Sequence, residues 1–349
     1  MALIRHFPSP PPVAAPVCSV CIANYNGVAI IADCIDSVLA QQGAVPVEII
    51  IHDDASTDGS VEWIRQHYPN VELLAADENA GFCVANNRMV AHARGEYVLL
   101  LNNDAALFPD ALASLLAAVR AQPQAAILTL PQYDWHTGEL VDRGCLLDPF
   151  YNPVPNLDPE RTDVAYVIGA CLWIPRTLWN ELGGFPEWMG SLAEDMYLCC
   201  AARLRRLSVA VVPASGYRHR QGASFGGNRA NAGRLRTTYR RRALSERNKT
   251  AVMVICTPTW LVWPLLALHC ALLALEGAVL TLVKRDARVW REIHGGALHH
   301  TAANFGRLRP LRRDVQRTRR ITLGAWLRGF TCVPRKLVLL RRYGLPRVH

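Results

Sequence analysis

The sequence lacks a Gly-x-Gly-x-x-Gly fingerprint and a Walker phosphate loop, which argues against dinucleotide-binding and P-loop proteins. Its eleven cysteines also lack the spacing of a disulfide framework. Cys18 and Cys21 form a Cys-x-x-Cys pair, but it lies within the apolar run 17–22, and no second pair follows at zinc-ligand spacing. We therefore expect buried, reduced thiols and a reducing compartment.

The first 16 residues contain no continuous apolar stretch of the kind found in a signal peptide. They contain several prolines, which cannot continue a helix, so we expect 1–16 to be a disordered, Pro-rich lead-in. Asn248-Lys249-Thr250 matches the sequon for N-glycosylation, but nothing else in the sequence suggests secretion.

Short apolar runs alternate with helical periodicity from residue 17 to about residue 101. The runs cover 17–22, 47–51, 71–74 and 97–101, and apolar residues at helical spacing separate them. Strands that are apolar throughout are buried on both faces, as in parallel sheets covered by helices. This region therefore predicts an α/β fold.

Polar residues follow each of these four runs. Open α/β sheets bind ligands outside the carboxyl ends of their strands, so these clusters are expected to converge on one site. Any one of them alone would more often be a turn, because Asn, Asp and Gly favour turns. The clusters are Asn24 to Gly27, Asp53-Asp54, Asn79 and Asn102-Asn103-Asp104.

The alternation of apolar runs with helical periodicity becomes less regular beyond residue 130. Residues 133–163 are rich in Pro, Gly and Asp and predict a long loop over the sheet. Further strands are predicted at 164–174 and 209–212.

Additional motifs lie between and after these clusters, in a definite order along the chain. They are Glu78 to Phe82, Ala85-Asn86-Asn87, Gly183-Gly184-Phe185, Glu194-Asp195 and His219-x-x-Gly222-x-Ser224. With these motifs, the segment resembles the inverting family 2 glycosyltransferases, particularly their bacterial rhamnosyltransferase-like branch. The resemblance implies a GT-A (Rossmann-like) nucleotide-sugar domain at 17–225.

The resemblance also implies a divalent cation, Mn²⁺ or Mg²⁺, because transfer leaves negative charge on the departing diphosphate. Asp104 matches the metal-binding position of the family, although its motif reads Asn-Asn-Asp instead of Asp-x-Asp. His219 matches a position that can complete the metal or diphosphate site. The ordinary alternatives are a helix cap for Asp104 and a surface histidine for His219.

The nucleotide part of the donor is expected to contact the strand ends. By resemblance, Asp53 and Asp54 lie where the family contacts the base. A carboxylate accepts the imide N–H of uracil or thymine, which fits a UDP- or dTDP-sugar, with dTDP-rhamnose among the candidates. The other expected nucleotide-sugar contacts are Ala23, Tyr25, Asn79, Gly81, Asn87 and Asn103.

The attacking hydroxyl requires a base, and the resemblance assigns this role to Asp195, with Glu194 shaping the acceptor site. An acidic pair is also favourable in the first turn of a helix, and both explanations can hold together. The sequence departs from the family at Pro186, at Tyr197 in place of an Asp and at Ala201 in place of an Arg. These departures concern the acceptor side.

The C-terminal part of the chain predicts membrane contact. Residues 260–283 form an apolar stretch of 24 residues, and 284–349 contains 17 Lys or Arg against three acidic residues. Because basic residues flank the stretch on both sides, we expect a peripheral or re-entrant segment on an anionic membrane surface. The alternative is a buried helix pair. A nucleic acid partner is not expected.

The sequence therefore predicts a glycosyltransferase that moves a sugar from a nucleotide-diphosphate donor to a glycan or lipid-linked glycan. We expect it at the cytoplasmic face of a bacterial inner membrane, in polysaccharide synthesis. Residues 226–283 would form the membrane-associated helices, and 284–349 a basic C-terminal region. The alternatives are a nucleotidyltransferase and a non-catalytic scaffold of glycan assembly.

Overall fold

A computed structural model describes residues 3–10, 15–122, 124–220, 229–231, 234–345 and 347–348. Its strands form one large sheet and three small ones. The strands are β1 (Ile4–Phe7), β2 (Cys18–Asn24), β3 (Val47–Asp53), β4 (Glu72–Ala76), β5 (Tyr97–Asn102), β6 (Ala105–Leu107), β7 (Ala125–Thr129), β8 (Gln132–Asp134), β9 (Leu140–Asp142), β10 (Cys145–Leu147), β11 (Pro153–Pro155), β12 (Cys171–Pro175), β13 (Ser208–Val211), β14 (Tyr217–His219), β15 (Arg229–Asn231), β16 (Arg234–Thr237) and β17 (Arg347–Val348).

Helices cover both faces of the main sheet and form the C-terminal part of the chain. They are α1 (Ile31–Leu39), α2 (Ser60–His67), α3 (Phe82–His92), α4 (Ala111–Ala121), α5 (Arg176–Leu182), α6 (Glu194–Leu204), α7 (Tyr239–Cys256), α8 (Val262–Lys284), α9 (Gly295–Ala303), α10 (Phe305–Arg317), α11 (Leu323–Leu327) and α12 (Arg335–Tyr343), with a 3₁₀ turn at Glu187–Met189 and a π-helical stretch at Val289–His294.

The main sheet has the order β1-β4-β3-β2-β5-β12-β7-β13. Strands β4, β3, β2 and β5 run parallel, as the four apolar runs predict. The chain passes from β2 to β3 on one side and later returns to β5 on the other side of β2. In open sheets this change of direction leaves a crevice at the carboxyl ends of the strands, where ligands bind.

Two apolar layers enclose this sheet. Helices α1, α2 and α4 pack on one face, and α3, α5, α6 and part of α7 pack on the other. Cys18 and Cys21 lie fully buried in β2, as expected, and burial raises the pKa of both thiols. The predicted α/β fold is confirmed.

The disordered lead-in expected at 1–16 is wrong for residues 4–7. These residues form β1, which pairs antiparallel with β4, with Ile4 opposite Ala76 and Phe7 opposite Leu73. The pairing covers an edge that would otherwise expose the backbone groups of β4. Pro8 follows β1 directly. Because proline cannot donate a backbone hydrogen bond, it does not continue the pairing with β4. Residues 11–14 lie outside the described residues.

The long loop expected at 133–163 is also not structureless. It contains β9, β10 and β11, and β8 overlaps its start. Strands β8 and β9 belong to a small sheet of order β6-β14-β8-β9, and β10 pairs with β11. In the small sheet His219 of β14 lies opposite Ala105 of β6, so it comes next to Asp104.

The C-terminal residues pack against the α/β domain instead of forming a separate tail. Residues 251–256 of α7 are buried in the same core as α6, and so are Leu308 of α10 and Trp326 of α11. Arg203 of α6 donates a hydrogen bond to the Trp326 carbonyl at 3.2 Å. Apolar residues between the arginines therefore anchor the basic region to the domain.

We expect Trp326→Ala to lower the free energy of unfolding by about 3–5 kcal/mol, because its buried ring is 1% exposed. The matched control is Trp260→Ala, whose ring is 73% exposed, with an expected change within about 0.5 kcal/mol. Urea unfolding of both variants tests the prediction. Equally small effects would show that the basic region is not part of the core.

Candidate active site

The carboxyl ends of β2, β3 and β5 are joined by a buried network of three side chains. Asn24 donates from Nδ2 to Asp53 Oδ2 at 2.8 Å, and Asn103 donates from Nδ2 to Asn24 Oδ1 at 2.8 Å. A Cβ on Gly27 would lie 2.2 Å from Asn24 Oδ1 and 2.4 Å from Asn103 Nδ2. The turn after β2 therefore needs glycine for this close approach.

Residues predicted to contact the nucleotide surround this network. Ala23 is partly buried at the end of β2, and the Tyr25 ring is 52% exposed at the edge of the sheet. Asp53 also accepts from the Ser56 backbone N–H at 2.9 Å. Burial raises the pKa of Asp53, while hydrogen bonds from Ser56 and Asn24 oppose this effect.

Asp54 organises the turn that starts α3. Its two carboxylate oxygens accept from the backbone N–H groups of Ala80 and Gly81, each at 2.8 Å, and Asn79 donates to the Asp54 carbonyl at 3.2 Å. Gly81 has a φ of +91°, a backbone conformation that residues with a side chain rarely adopt. The structure thus brings Asp54, Asn79 and Gly81 together at the edge of the crevice.

Asn87 connects α3 to the Gly-Gly-Phe turn. Its amide donates to the Phe185 carbonyl and accepts from the Phe185 N–H, both at 2.9 Å. A Cβ on Gly184 would lie 2.6 Å from Asn87 Oδ1. These contacts position the turn, whereas a nucleotide contact by Asn87 stays a prediction.

Asp104 and His219 form the second part of the site. Both side chains are buried, and His219 Nε2 lies 3.0 Å from Asp104 Oδ1. The other ring nitrogen of His219 lies 3.2 Å from Gln132 Oε1, which fixes the orientation of the ring. One carboxylate oxygen and one imidazole nitrogen that face each other can hold a divalent cation such as Mn²⁺. Gly222 and Ser224 of the same motif lie outside the described residues.

Asp195 lies at the same end of β5. Its Oδ2 accepts from the Gly169 N–H at 3.0 Å, and its Oδ1 accepts from the Met196 N–H at 2.7 Å. The neighbouring Ala170 carbonyl accepts from the Asn102 N–H at 3.1 Å, two residues before Asp104. One short run of hydrogen bonds therefore links the predicted base to the predicted metal-binding loop.

Glu194 is buried beside Asp195. Burial raises the pKa of Glu194 well above its ordinary value, the Asp195 charge adds to this, and the positive charge of Arg241 opposes it. Glu194 Oε2 has no hydrogen-bond partner among the described residues. Burial also raises the pKa of Asp195, while hydrogen bonds from backbone N–H groups oppose this effect.

The departures from the family on α6 share one environment. Tyr197 is 9% exposed and Ala201 is 5% exposed, and both belong to the apolar core. The residues usual in the family at these positions are an acid and an arginine four positions apart, and burying such a pair is costly. Tyr and Ala replace both charges together, which avoids that cost.

Asn248 of α7 is a residue whose contacts to the site the sequence does not reveal. Its buried amide nitrogen donates to the carbonyls of Met189, Ser191 and Leu192 at 3.0, 2.9 and 2.8 Å. The loop it holds contains Leu192 and Ala193, with φ of +71° and +68° directly before Glu194. Non-glycine residues avoid this region unless the surroundings impose it. The contacts span 56–59 residues, and the apparent sequon at this position is buried.

Comparison with known proteins agrees with this geometry. The model of the family "Glycosyl transferase family 2" matches residues 19–183, which include the network at the strand ends and Asp104. Within residues 19–183 the predicted resemblance to family 2 glycosyltransferases is therefore confirmed.

Relatives of known sequence match the same part of the chain. An N-acetylglucosaminyl-diphospho-decaprenol L-rhamnosyltransferase of Mycobacterium tuberculosis is 29% identical over 183 residues, covering 44% of this chain and 60% of the relative. A chondroitin synthase of Escherichia coli is 30% identical over 188 residues, covering 52% of this chain and 26% of the relative. The chain thus spans 60% or less of the length of these two relatives.

Solved structures share the fold at low sequence identity. TarS of S. aureus aligns with a TM-score of 0.54 and 16% identity, over 88% of this chain and 54% of TarS. The mannosyltransferase PcManGT of Pyrobaculum calidifontis, in complex with GDP-Man and Mn²⁺, aligns with a TM-score of 0.52 and 18% identity, over 85% of this chain and 89% of PcManGT. These likenesses support the GT-A fold.

We expect Asn248→Ala to lower the turnover number with little change in the KM for the donor. The substitution removes the donor to the Ser191 and Leu192 carbonyls, whereas the Met189 carbonyl still accepts from Arg247. This loss costs about 1–3 kcal/mol and frees the loop before Asp195. Donor titration under steady-state conditions tests this split. The matched control is Asn304→Ala, because among the described residues the Asn304 side chain donates only to the nearby His300 carbonyl. An unchanged turnover number in folded Asn248→Ala would contradict the expectation.

Proposed function

We propose that this protein is an inverting, divalent-cation-dependent glycosyltransferase that uses a UDP- or dTDP-sugar. Its acceptor is a hydroxyl of a lipid-linked glycan, and its place is the cytoplasmic face of a bacterial inner membrane. The observation that carries the proposal is the hydrogen-bond run from Asp195 through Gly169 and Ala170 to Asn102, beside Asp104. It supports the proposal because Asp195 and the Asp104–His219 pair then lie at one end of the sheet.

The Asp104 carboxylate and the His219 imidazole would hold the cation. When bound, the cation offsets the negative charge that grows on the departing diphosphate. Gln132 holds His219 in the orientation that presents Nε2 to the carboxylate. The Mn²⁺ in the PcManGT complex supports a cation at this kind of site.

Asp195 would take the proton of the acceptor hydroxyl as that oxygen attacks the anomeric carbon. The bond from the anomeric carbon to the diphosphate oxygen breaks in the same step, and its electron pair leaves with the nucleotide. Backbone N–H groups keep the carboxylate oriented, and the Asp195 pKa, raised by burial, makes it a stronger base than an ordinary aspartate. A single displacement of this kind inverts the anomeric configuration.

The nucleotide would lie on the network formed by Asn24, Asp53 and Asn103. Asp53 and Asp54 are the proposed partners of the base, because each of their carboxylate oxygens accepts one hydrogen bond within the protein and keeps a second lone pair for a ligand. The exposed Tyr25 ring offers a surface at the mouth of the same crevice. This arrangement favours a base with an imide N–H, as in uracil and thymine.

Helix α8 would contact the membrane surface. It is the helix within the described residues that is long and apolar enough to cross a membrane by length and composition. Its inner side is polar in part, since His269 bonds to Thr250 at 2.8 Å and Glu276 pairs with Arg242 at 2.6 Å. Its outer side exposes Leu268, Leu272, Leu275, Val279 and Leu282. One apolar side and one side bound to the domain favour a helix lying on the membrane.

The name of the mycobacterial relative, which mentions a diphospho-decaprenol substrate, supports a lipid-linked acceptor for a membrane-bound enzyme. The cytoplasmic location rests on the free cysteines, which are buried in all cases but Cys270 and Cys332.

We expect Asp195→Asn to lower the transfer rate by roughly 10²–10⁴-fold, because amide nitrogen and oxygen keep the shape but supply no base. Glu194→Gln is measured beside it and should have a milder effect, mainly on acceptor use, because Glu194 is expected to shape the acceptor site. Transfer rate, donor affinity and product configuration are measured together. A near-normal rate for Asp195→Asn, or a retained configuration, would overturn the proposed mechanism.

A further inference from the structure

A basic cleft of about 330 Å³ lies between the start of α8 and helix α10, away from the residues of the candidate active site. Trp263 of α8 lines it together with four arginines, Arg309, Arg312, Arg313 and Arg319. Such a concentration of guanidinium groups is typical of sites for phosphate, which arginine binds through paired hydrogen bonds.

One of the four arginines has a structural task. Arg312 donates to the carbonyls of Val254 and Thr257 at 2.8 and 2.6 Å, and to that of Thr259 at 2.6 Å. These carbonyls lie in the last turn of α7 and just after it, where carbonyls have no partner within the helix. Arg312 therefore fixes the wall of the cleft.

The other three arginines carry uncompensated charge. Arg309, Arg313 and Arg319 are exposed, and none of them forms an ion pair with a described residue. Asp314, the acidic residue on the same helix, pairs with Arg317 at 3.5 Å. Three like charges around one cleft repel one another, so an anion between them would relieve this repulsion.

The surroundings of the cleft indicate which anion it takes. Trp260 is 73% exposed and Trp263 is 44% exposed, and the apolar outer side of α8 continues from them. Tryptophan is enriched where proteins meet the headgroup layer of a membrane. A soluble anion would need the arginines alone, whereas a lipid would also contact the tryptophans and the apolar helix.

We propose that this cleft binds the phosphate group of an anionic membrane lipid, with Trp260 and Trp263 in the headgroup layer. This inference rests on the proposed membrane contact of α8 and adds a defined headgroup site to it. Binding at the cleft would fix how the domain is oriented on the membrane, since α10 packs against α7, and Asn248 of α7 holds the loop before Asp195.

The test uses the full-length protein and phosphatidylcholine vesicles with and without phosphatidylglycerol. The triple variant Arg309→Gln, Arg313→Gln, Arg319→Gln is compared with Arg5→Gln, Arg120→Gln, Arg206→Gln, which removes the same charge from exposed positions elsewhere. Vesicle co-sedimentation should show about tenfold to hundredfold weaker binding of the cleft variant to phosphatidylglycerol vesicles, and a much smaller loss for the control. Equal melting temperatures establish that both variants are folded.

The possible results separate the claims. Wild-type binding that both variants weaken equally, or that the cleft variant keeps, overturns the headgroup site and leaves the membrane contact intact. Wild-type protein that binds neither kind of vesicle overturns the membrane contact itself. The last experiment measures the binding of inorganic diphosphate to the wild type and the cleft variant by calorimetry. Tight binding of this free anion that the cleft variant loses, without vesicle binding, assigns the cleft to a soluble ligand and overturns the lipid proposal.

Discussion

The antiparallel pairing of β5 with β12 determines where the two halves of the site meet. Leu101 lies opposite Cys171, so the start of β12 comes beside the end of β5. The Gly169 N–H, just before β12, then reaches the Asp195 carboxylate, while the residues just after β5 carry Asp104. A shift of this register by one residue would turn every side chain of β12 to the opposite face and break both connections.

The N-terminal half of the domain could be predicted from local sequence. Parallel strands buried on both faces leave short apolar runs, and the polar residues at their ends mark the crevice. The resemblance to family 2 glycosyltransferases then directed attention to Asp104 and Asp195, which the structure brings to the same end of β5. Neither position differs in local sequence from an ordinary turn or helix start, so residue patterns alone could not single them out.

Distant contacts account for what local sequence could not predict. Residues 4–7 become a strand because β4 offers an unpaired edge, and this edge lies about seventy residues away in sequence. The high content of basic residues at 284–349 suggests a separate tail, yet Leu308 and Trp326 of this region are buried in the core. Asn248 lies in an ordinary helical stretch, and its importance follows from carbonyls that only the folded chain brings to it.

The C-terminal helices therefore have two sides with different tasks. Their inner side supports α6 and the strained loop at Leu192 and Ala193, and the outer side of α8 presents apolar residues to its surroundings. This arrangement gives a physical reason for one chain to combine an α/β domain with a basic, apolar extension. Support of the proposed base and the proposed contact with the membrane use opposite faces of the same small group of helices.

The most direct test of a metal-dependent nucleotide-sugar site is the melting temperature of the full-length protein with nucleoside diphosphates, with and without Mn²⁺. Ligands that bind the folded state raise its stability, by about 2.7 kcal/mol at a hundredfold excess over the Kd. We predict that UDP or dTDP raises the melting temperature only when Mn²⁺ is present, and that Asp104→Ala abolishes this increase. An increase with no need for Mn²⁺ or for Asp104, or no increase with any nucleoside diphosphate, would contradict the account.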